Sequence, residues 1–449
     1  MKKKLFISFS IFVLAGVNSL MAQSLCFVPT LTYNAGPVPR GMISNDFNND
    51  GKIDIAVSNC GGNTISVLLG SGTGTFGPVS NYTVGWGPDN LFATDLNNDG
   101  NKDIITANQG PNNTAVLLGS SSGTFSLLGY FATGTYPFSV SSGDYNGDGN
   151  NDVAVANGTS NDVSILMGNG TGSLAAAINY TTGLQPTFVV SGKLNADVYD
   201  DIVVSNSNSN NVCVLLGSSS GSMIPNGSYT LGNGPYSLLI DDLNADGNLD
   251  IAVAIITPTH KVAVLLGTGT GSFNPPVSYT VNNNPQSVIS ADFNNDGKKD
   301  LISANGTTSI SIMLGTGTGS FAPAFSYMNN AGQQITTGDY NGDSRPDIAY
   351  KFQTGNQISA ELNCIGLGIE EKEGFANFSI FPNPTTSFIE INTERNSFVK
   401  VSDLLGKIVL EKEVAEGVNK LDVSILPSGI YYLQLPESNN FKNVKFIKE

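Results

Sequence analysis

The feature that most constrains this chain is a nine-residue acidic segment that recurs seven times. It reads DFNNDGKID from Asp46, DLNNDGNKD from Asp95, DYNGDGNND from Asp144, KLNADVYDD from Lys193, DLNADGNLD from Asp242, DFNNDGKKD from Asp292 and DYNGDSRPD from Asp339. The start-to-start steps are 49, 49, 49, 49, 50 and 47 residues. Three other landmarks keep the same phase. An aromatic stands at Tyr33, Tyr82, Phe131, Tyr180, Tyr229, Tyr279 and Tyr327. A proline stands at Pro39, Pro88, Pro137, Pro186, Pro235 and Pro285, with Gln333 in the seventh place. A glycine ends an apolar run at Gly70, Gly119, Gly168, Gly217, Gly267 and Gly315, with Asn363 seventh. Self-similarity at this period is the signature of a repeat architecture, in which each unit buries its apolar face against its neighbours.

Each unit reads as four short strands. In the second, residues near Asn90 to Thr94 lead into the acidic loop, and Asp103 to Ala107, Thr114 to Leu118 and Phe125 to Thr133 follow it. Clusters of Gly, Asn, Ser and Pro separate them, and no helical period is sustained. Four strands per unit predict an all-β fold, a seven-bladed β-propeller. The chain begins on an orphan strand, Phe27 to Tyr33, and the last unit stops after three strands, at Ile358 to Leu362. The first strand therefore completes the seventh blade and closes the ring, which removes exposed sheet edges. Aligned on the first complete unit, Cys364 falls where Ser71 sits and Cys26 where Thr75 sits, across a tight turn. A Cys26–Cys364 disulfide is expected at that seam, worth about 2–4 kcal/mol. Cys60 and Cys213 lie in different blades and are expected to be free.

Composition changes after Cys364: residues 369–449 carry 21 charged side chains, against 34 in residues 23–368. The expected organisation is a leader at 1–22, the propeller at 23–364, a linker at 365–374 and a C-terminal domain at 375–449. The last is read as a small β-sandwich with strands at Phe378–Phe381, Ser387–Ile391, Phe398–Ser402, Lys407–Glu411, Lys420–Val423 and Gly429–Leu435. The leader places Lys2, Lys3 and Lys4 before an apolar run from Leu5 to Val17, the order of a secretory signal peptide. That run is shorter than the roughly 20 residues that span a bilayer, so the chain is not read as membrane-spanning. Net charge is −16, and −19 once the three leader lysines are removed, which argues against nucleic acid or an anionic membrane as partner. No CxxC pair exists and His260 is the single histidine, which disfavours a zinc site.

In the pattern D-x-N-x-D-G-x-x-D, side-chain oxygens fall at loop positions 1, 3, 5 and 9, and position 7 offers its carbonyl. A hard cation that takes about six to eight oxygens is bound by such a loop. The expected ligand sets are Asp46, Asn48, Asp50, Lys52 and Asp54; Asp95, Asn97, Asp99, Asn101 and Asp103; and Asp144, Asn146, Asp148, Asn150 and Asp152. On the other side of the ring they are Asp242, Asn244, Asp246, Asn248 and Asp250; Asp292, Asn294, Asp296, Lys298 and Asp300; and Asp339, Asn341, Asp343, Arg345 and Asp347. Turn formation alone also recruits Asp and Asn. However, 20 of the 25 acids in residues 23–368 occupy positions 1, 5 or 9, a placement that turns do not require. The fourth loop departs, with Lys193 for the first Asp and Val198 for the glycine, so about six structural Ca2+ ions are expected and an ammonium in the fourth place.

At these residues the chain resembles FG-GAP/VCBS repeat proteins, whose propeller blades in integrin α-subunits carry the same loop. The Gly-x-Phe before each fourth strand matches too, as in Gly271-Ser272-Phe273 and Gly319-Ser320-Phe321. The resemblance implies a seven-bladed propeller with calcium between the first and second strands of a blade. The tail resembles a type A C-terminal sorting domain of type IX secretion, in Phe381-Pro382-Asn383-Pro384, Asp403-Leu404-Leu405-Gly406-Lys407, Leu426-Pro427-Ser428-Gly429-Ile430-Tyr431 and Lys445-Phe446-Ile447-Lys448. It implies an Ig-like sandwich, outer-membrane type IX machinery as partner, and a final place at or beyond the outer surface of a Gram-negative bacterium.

The functional expectation is an adhesion or interaction module for an extracellular protein or glycan, with a lectin-like or polysaccharide-associated binding protein as the alternative and a hydrolase less favoured than either. The binding face under that reading is the one opposite the acidic loops, rich in Asn, Ser and Gly at Asn59–Thr64, Asn108–Thr114, Asn157–Asp162, Asn206–Asn211 and Asn305–Thr308, with Trp86 and Tyr136 beside them. The same residues also make ordinary turns. No nucleophile elbow is present, and the acids outside the loops (Asp89, Asp162, Asp200, Asp241 and Glu361) form no recognisable pair, so the chain is expected not to be an enzyme.

Overall fold

The structure is a computed structural model describing residues 25–448, apart from 257–258, 307–308, 329–330, 353, 366–383, 394–395, 404–406 and 438–439. The leader at 1–22, nearly all of the linker and the strand expected at Phe378–Phe381 lie outside the described residues. The chain divides into two compact units, Met1–Ile365 and Gly366–Glu449. No helix among the described residues is long and apolar enough to cross a membrane.

The first unit consists of seven four-stranded antiparallel sheets. Six are built from consecutive strands, as in blade 1: Pro39–Asn45, Asp54–Asn59, Thr64–Leu68 and Ser80–Thr83. The seventh joins Ala331–Gly338, Asp347–Phe352 and Gln357–Asn363 to the N-terminal strand Phe27–Asn34. Phe27 pairs with Asn363 and Asn34 with Gln357. The first strand of each blade packs on that of the next, and the seventh on the first, so the ring is closed. Cys26 and Cys364 are disulfide-bonded across the seam with Cα atoms 5.1 Å apart.

The landmarks acquire physical reasons. The second strand of a blade is buried on both faces, as Asp54–Asn59 is along its whole length, so its centre reads as consecutive apolar residues, Ile55-Ala56-Val57, without alternation. The landmark tyrosine reaches from one blade to the Gly-x-Phe phenylalanine of the next. Tyr33, Tyr229 and Tyr279 hydroxyls accept from the backbone N–H of Phe76, Phe273 and Phe321 at 2.8, 2.9 and 3.2 Å. Each pair of rings meets edge to face. The landmark glycine is demanded by backbone crowding: a Cβ on Gly70 would sit 2.2 Å from the Ile53 carbonyl oxygen, and the five equivalent glycines are as tight.

The second unit holds a two-stranded sheet, Phe388–Thr393 with Gly417–Asp422, and a four-stranded sheet of Ser397–Ser402, Ile408–Val414, Gly429–Glu437 and Asn440–Lys448. Ile389, Ile391 and Leu421 from the first sheet share one core with Val399, Val401, Leu433 and Phe446 from the second, which is an Ig-like sandwich.

Candidate functional site

The six intact loops share one hydrogen-bonded turn. In the first, Asp46 accepts from the N–H groups of Asp50 and Gly51 at 3.1 and 2.8 Å, Asn48 from Asp50 at 3.1 Å, and Asp50 from Lys52 at 3.0 Å. Asp95, Asn97 and Asp99 repeat this set, as do Asp242, Asn244 and Asp246. Positions 4 and 6 take positive φ, as at Asn49 (56°) and Gly51 (81°), which explains the Asn and Gly there. Loop positions 4 to 6 are the most exposed, and the cationic side chains at position 7 turn to position 5: Lys52 to Asp50, Lys298 to Asp296 and Arg345 to Asp343 at 3.1, 3.3 and 2.8 Å.

The ninth-position aspartate does something the sequence pattern does not reveal. It is fully buried in all seven blades, and its two oxygens clamp two backbone N–H groups, that of loop position 2 and that of the landmark glycine. Asp54 accepts from Phe47 and Gly70 at 2.8 and 2.6 Å, and Asp250 from Leu243 and Gly267 at 3.0 and 2.7 Å. Asp347 does the same with Tyr340 and Asn363 at 2.9 and 2.7 Å. Burial raises these carboxyls to about 6 at Asp54, Asp250, Asp300 and Asp347 and to about 7 at Asp152. The clamped N–H groups oppose the rise, and repulsion from the loop's other carboxylates adds to it. Among the described residues no three His, Cys, Asp or Glu side chains are already gathered into a metal-holding group. The donors of each intact loop nevertheless are all oxygens, the carboxylates repel one another, and each clamped oxygen keeps a second lone pair. That donor chemistry fits a hard divalent cation.

The fourth loop folds differently. Neither Ala196 nor Val198 takes positive φ, and Val198 is 64% exposed. Among the described residues Lys193 forms no ion pair. Asp200 instead ties the loop to its neighbour, accepting from Asp144 N–H at 2.8 Å. Asp201 keeps the clamp on Leu194 and Gly217 at 3.0 and 2.9 Å.

The pattern of four-stranded blades and repeated acidic turns matches the FG-GAP-like repeat in six overlapping copies, residues 46–106, 95–155, 144–204, 193–253, 242–303 and 292–350. The chain belongs to the FG-GAP-like repeat family. Residues 379–449 of this FG-GAP protein match the secretion system C-terminal sorting domain. That domain marks it for type IX secretion to the cell surface or beyond and makes the type IX machinery a partner. A search of curated proteins returns no relative. Among solved structures the chain is similar to BBS1N in complex with ARL6DN, at 12% identity and a TM-score of 0.53, covering 75% of this chain and 96% of that one. It is also similar to a putative 6-phosphogluconolactonase from Bacteroides uniformis, at 13% identity, a TM-score of 0.51 and coverages of 66% and 87%. The periplasmic gluconolactonase of Pseudomonas aeruginosa follows at 14%, 0.50, 66% and 86%.

These neighbours correct one expectation. The lack of a catalytic motif predicts a non-enzyme, yet proteins named as lactonases share this fold. A propeller can place catalytic groups on loops of different blades, far apart in sequence, so a missing local motif does not exclude catalysis.

The opposite face carries two constellations. The exposed Trp86, with 69% of its surface free, lines a cleft of about 370 Å³ with Gly85, Gly110, Pro111, Asn113 and Tyr130. A Cβ on Gly110 would lie 1.8 Å from the indole, so this glycine lets the ring occupy its position. Tyr136, also exposed, packs edge-on against Phe138 instead. The second constellation matches no local motif: Arg40, Asp89 and Lys351, from blades 1, 2 and 7. Arg40 Nη1 lies 3.5 Å from Asp89 Oδ2, Gln109 donates to the same Oδ2, and Lys351 Nζ donates to Pro39 O and Gln333 Oε1 at 3.2 and 3.0 Å. Of the other acids outside the loops, Asp162 holds Asn157 and Ser160 at 2.8 and 2.9 Å, Asp241 pairs with Lys299 at 2.9 Å, and Glu361 accepts from Tyr350 at 2.7 Å.

Proposed function

We propose that the mature protein is an extracellular interaction module whose propeller is stiffened by calcium in the six intact loops and engages its ligand through the face bearing Trp86. Support for calcium is the repeated all-oxygen turn. The carboxylates of positions 1 and 5, the amide oxygen of position 3 and the carbonyl of position 7 would hold each ion, with the ninth-position carboxylate adding a free lone pair. A bound dication would relieve the repulsion within each loop and tie the first strand of a blade to the second.

The observation that carries the ligand side is the Trp86 cleft. A large aromatic surface left open beside an amide and a tyrosine is unmatched at the equivalent place in other blades, which carry Pro37, Thr135, Leu184, Asn233 and Asn283. Its chemistry favours a saccharide: the indole and Tyr130 offer apolar faces for C–H groups, and Asn113 offers both donor and acceptor. A glycan array probed with the mature propeller in calcium tests this. Binding that Trp86→Ala abolishes supports the lectin-like form of the reading. A blank array together with a specific surface-protein partner lost on the same substitution supports the protein-adhesion form.

A further inference from the structure

In a repeat protein, position-specific chemistry sits where the copies differ. Arg40 and Asp89 occupy the residue after the landmark proline, at the start of each blade's innermost strand; the other five blades have Phe138, Thr187, Tyr236, Gln286 and Gln334 there, none charged. Lys351 takes the fifth position of the second strand, which is serine or alanine in the six other blades. The propeller has nine lysines and arginines, and six of them (Lys52, Lys102, Lys193, Lys298, Lys299 and Arg345) stand in the acidic loops. Two of the remaining three thus converge at one place on the inner rim. The acidic loops follow the far end of the same strand, six residues beyond Arg40, or about 20 Å at strand rise.

A tie across the blade 7–blade 1 seam needs one cation and one acid. Here the carboxylate of Asp89 pairs with Arg40, while Lys351 is held by two neutral oxygens, which leaves one positive charge without a counter-ion among the described residues in a chain of net charge −16. Lys351 and Asp89 are nearly buried, at 8% and 9% exposure, while 40% of the Arg40 side chain remains open. Burial lowers Lys351 to about 8, with Arg40 pushing the same way and Asp89 opposing. Asp89 is raised to about 6 by burial against the pull of both cations. Tyr236, from blade 5, lies within electrostatic reach of Arg40 and Asp89.

We propose that Arg40 and Lys351, with Asp89 orienting Arg40, form a carboxylate-binding site on the inner rim of the propeller face opposite the acidic loops. The open guanidinium presents a planar fork matched to a carboxylate. The single surplus charge matches a monoanion, and Asp89 disfavours a dianion such as phosphate. The site shares no lining residue with the Trp86 cleft, and the two are tested by different substitutions, so a failure of either reading leaves the other intact.

Titration calorimetry of the mature chain tests it with acetate, succinate and D-galacturonate as carboxylate probes, D-galactose as a neutral sugar and inorganic phosphate as a dianion. The expected result is one-to-one binding of at least one carboxylate, none of galactose at the same place, and weaker binding of phosphate that Asp89→Asn improves. Arg40→Gln and Lys351→Met should each weaken the carboxylate at least tenfold, whereas Gln286→Ala, in another blade of the same rim, should leave it unchanged. Absence of binding by all three carboxylates overturns the proposal, as does binding indifferent to both cation variants. If either variant does not fold, the Arg40 Nε–H resonance of the native 15N-labelled chain is followed during the same titration. A shift supports the site and a static resonance overturns it.

Discussion

The fourth blade and its six sisters form a comparison built into one molecule. All seven keep the ninth-position aspartate fully buried, as Asp201 and Asp250 both show. The fourth loop alone lacks the first aspartate and both positive-φ residues of the turn. Position 9 is therefore retained where the metal-type turn is lost. The nine-residue motif contains two devices: a clamp that fixes the start of the second strand, and a turn that gathers oxygens. Blade 4 has the first without the second and still pairs its strands in the common register, Ser191 with Ile202 and Gly192 with Asp201.

The largest effect expected from this division is the loss of calcium from the whole ring. At about 5 mM calcium, sites of the extracellular class with dissociation constants near 0.1–1 mM each contribute about 1–2 kcal/mol. Six such sites together shift the melting temperature by about 10 °C or more. Exhaustive chelation followed by calorimetry reads the shift, and elemental analysis of the untreated protein should give six ions per chain. An unchanged melting temperature together with a metal-free native protein would remove calcium from the account and leave the loops as turns.

Next in size is removal of the clamp. Asp201→Ala strands two buried N–H groups, those of Leu194 and Gly217, at a cost of about 2–5 kcal/mol. Because blade 4 lacks the turn, denaturant midpoints should fall equally with calcium and with chelator. Asp250→Ala, with the same two contacts in blade 5, should cost as much in chelator and more in calcium. If Asp201→Ala is near neutral while Asp250→Ala is costly under both conditions, the two clamps are not equivalent and the division into devices fails.

Much of this was legible in the sequence because repetition multiplies weak signals. A single D-x-N-x-D-G is an ordinary turn, but seven in phase with a tyrosine, a proline and a glycine define a blade, and the orphan strands at its ends define the seam. The sorting domain was legible from its motifs in order. The clamp was not, because a carboxylate that accepts backbone N–H groups and one that binds a cation use the same residue at the same spacing. Lys193 showed that the fourth loop differs, but not how: the ammonium takes no partner among the described residues, and Asp200 bridges to Asp144 instead. The Arg40–Asp89–Lys351 cluster shows in the sequence only as three charges that break the repeat; that they meet follows from the packing of neighbouring blades and from ring closure, across 49 and 262 positions. Asp89 reads as a spare acid for the same reason, and the absence of a local motif says nothing about catalytic groups carried on separate blades.

The smallest expected effect is also the sharpest test of the comparison. Converting blade 4 toward its sisters with Lys193→Asp and Val198→Gly restores the first carboxylate and permits positive φ at position 6. Asn195, Asp197 and Asp201 already stand in place, so the double variant should bind one ion more than the native chain and gain about 1–2 kcal/mol in millimolar calcium. In chelator the added carboxylate meets Asp197 and Asp200 without a cation, and the variant should be slightly less stable than the native chain. Asp242→Ala is the reverse experiment in blade 5, losing one ion and a similar stability in calcium alone. A crossing of the native and double-variant stabilities between the two conditions assigns metal affinity to positions 1 and 6. Parallel shifts in both would mean that blade 4 differs for reasons of packing, since Asp200 would then have to leave Asp144 whether or not an ion arrives.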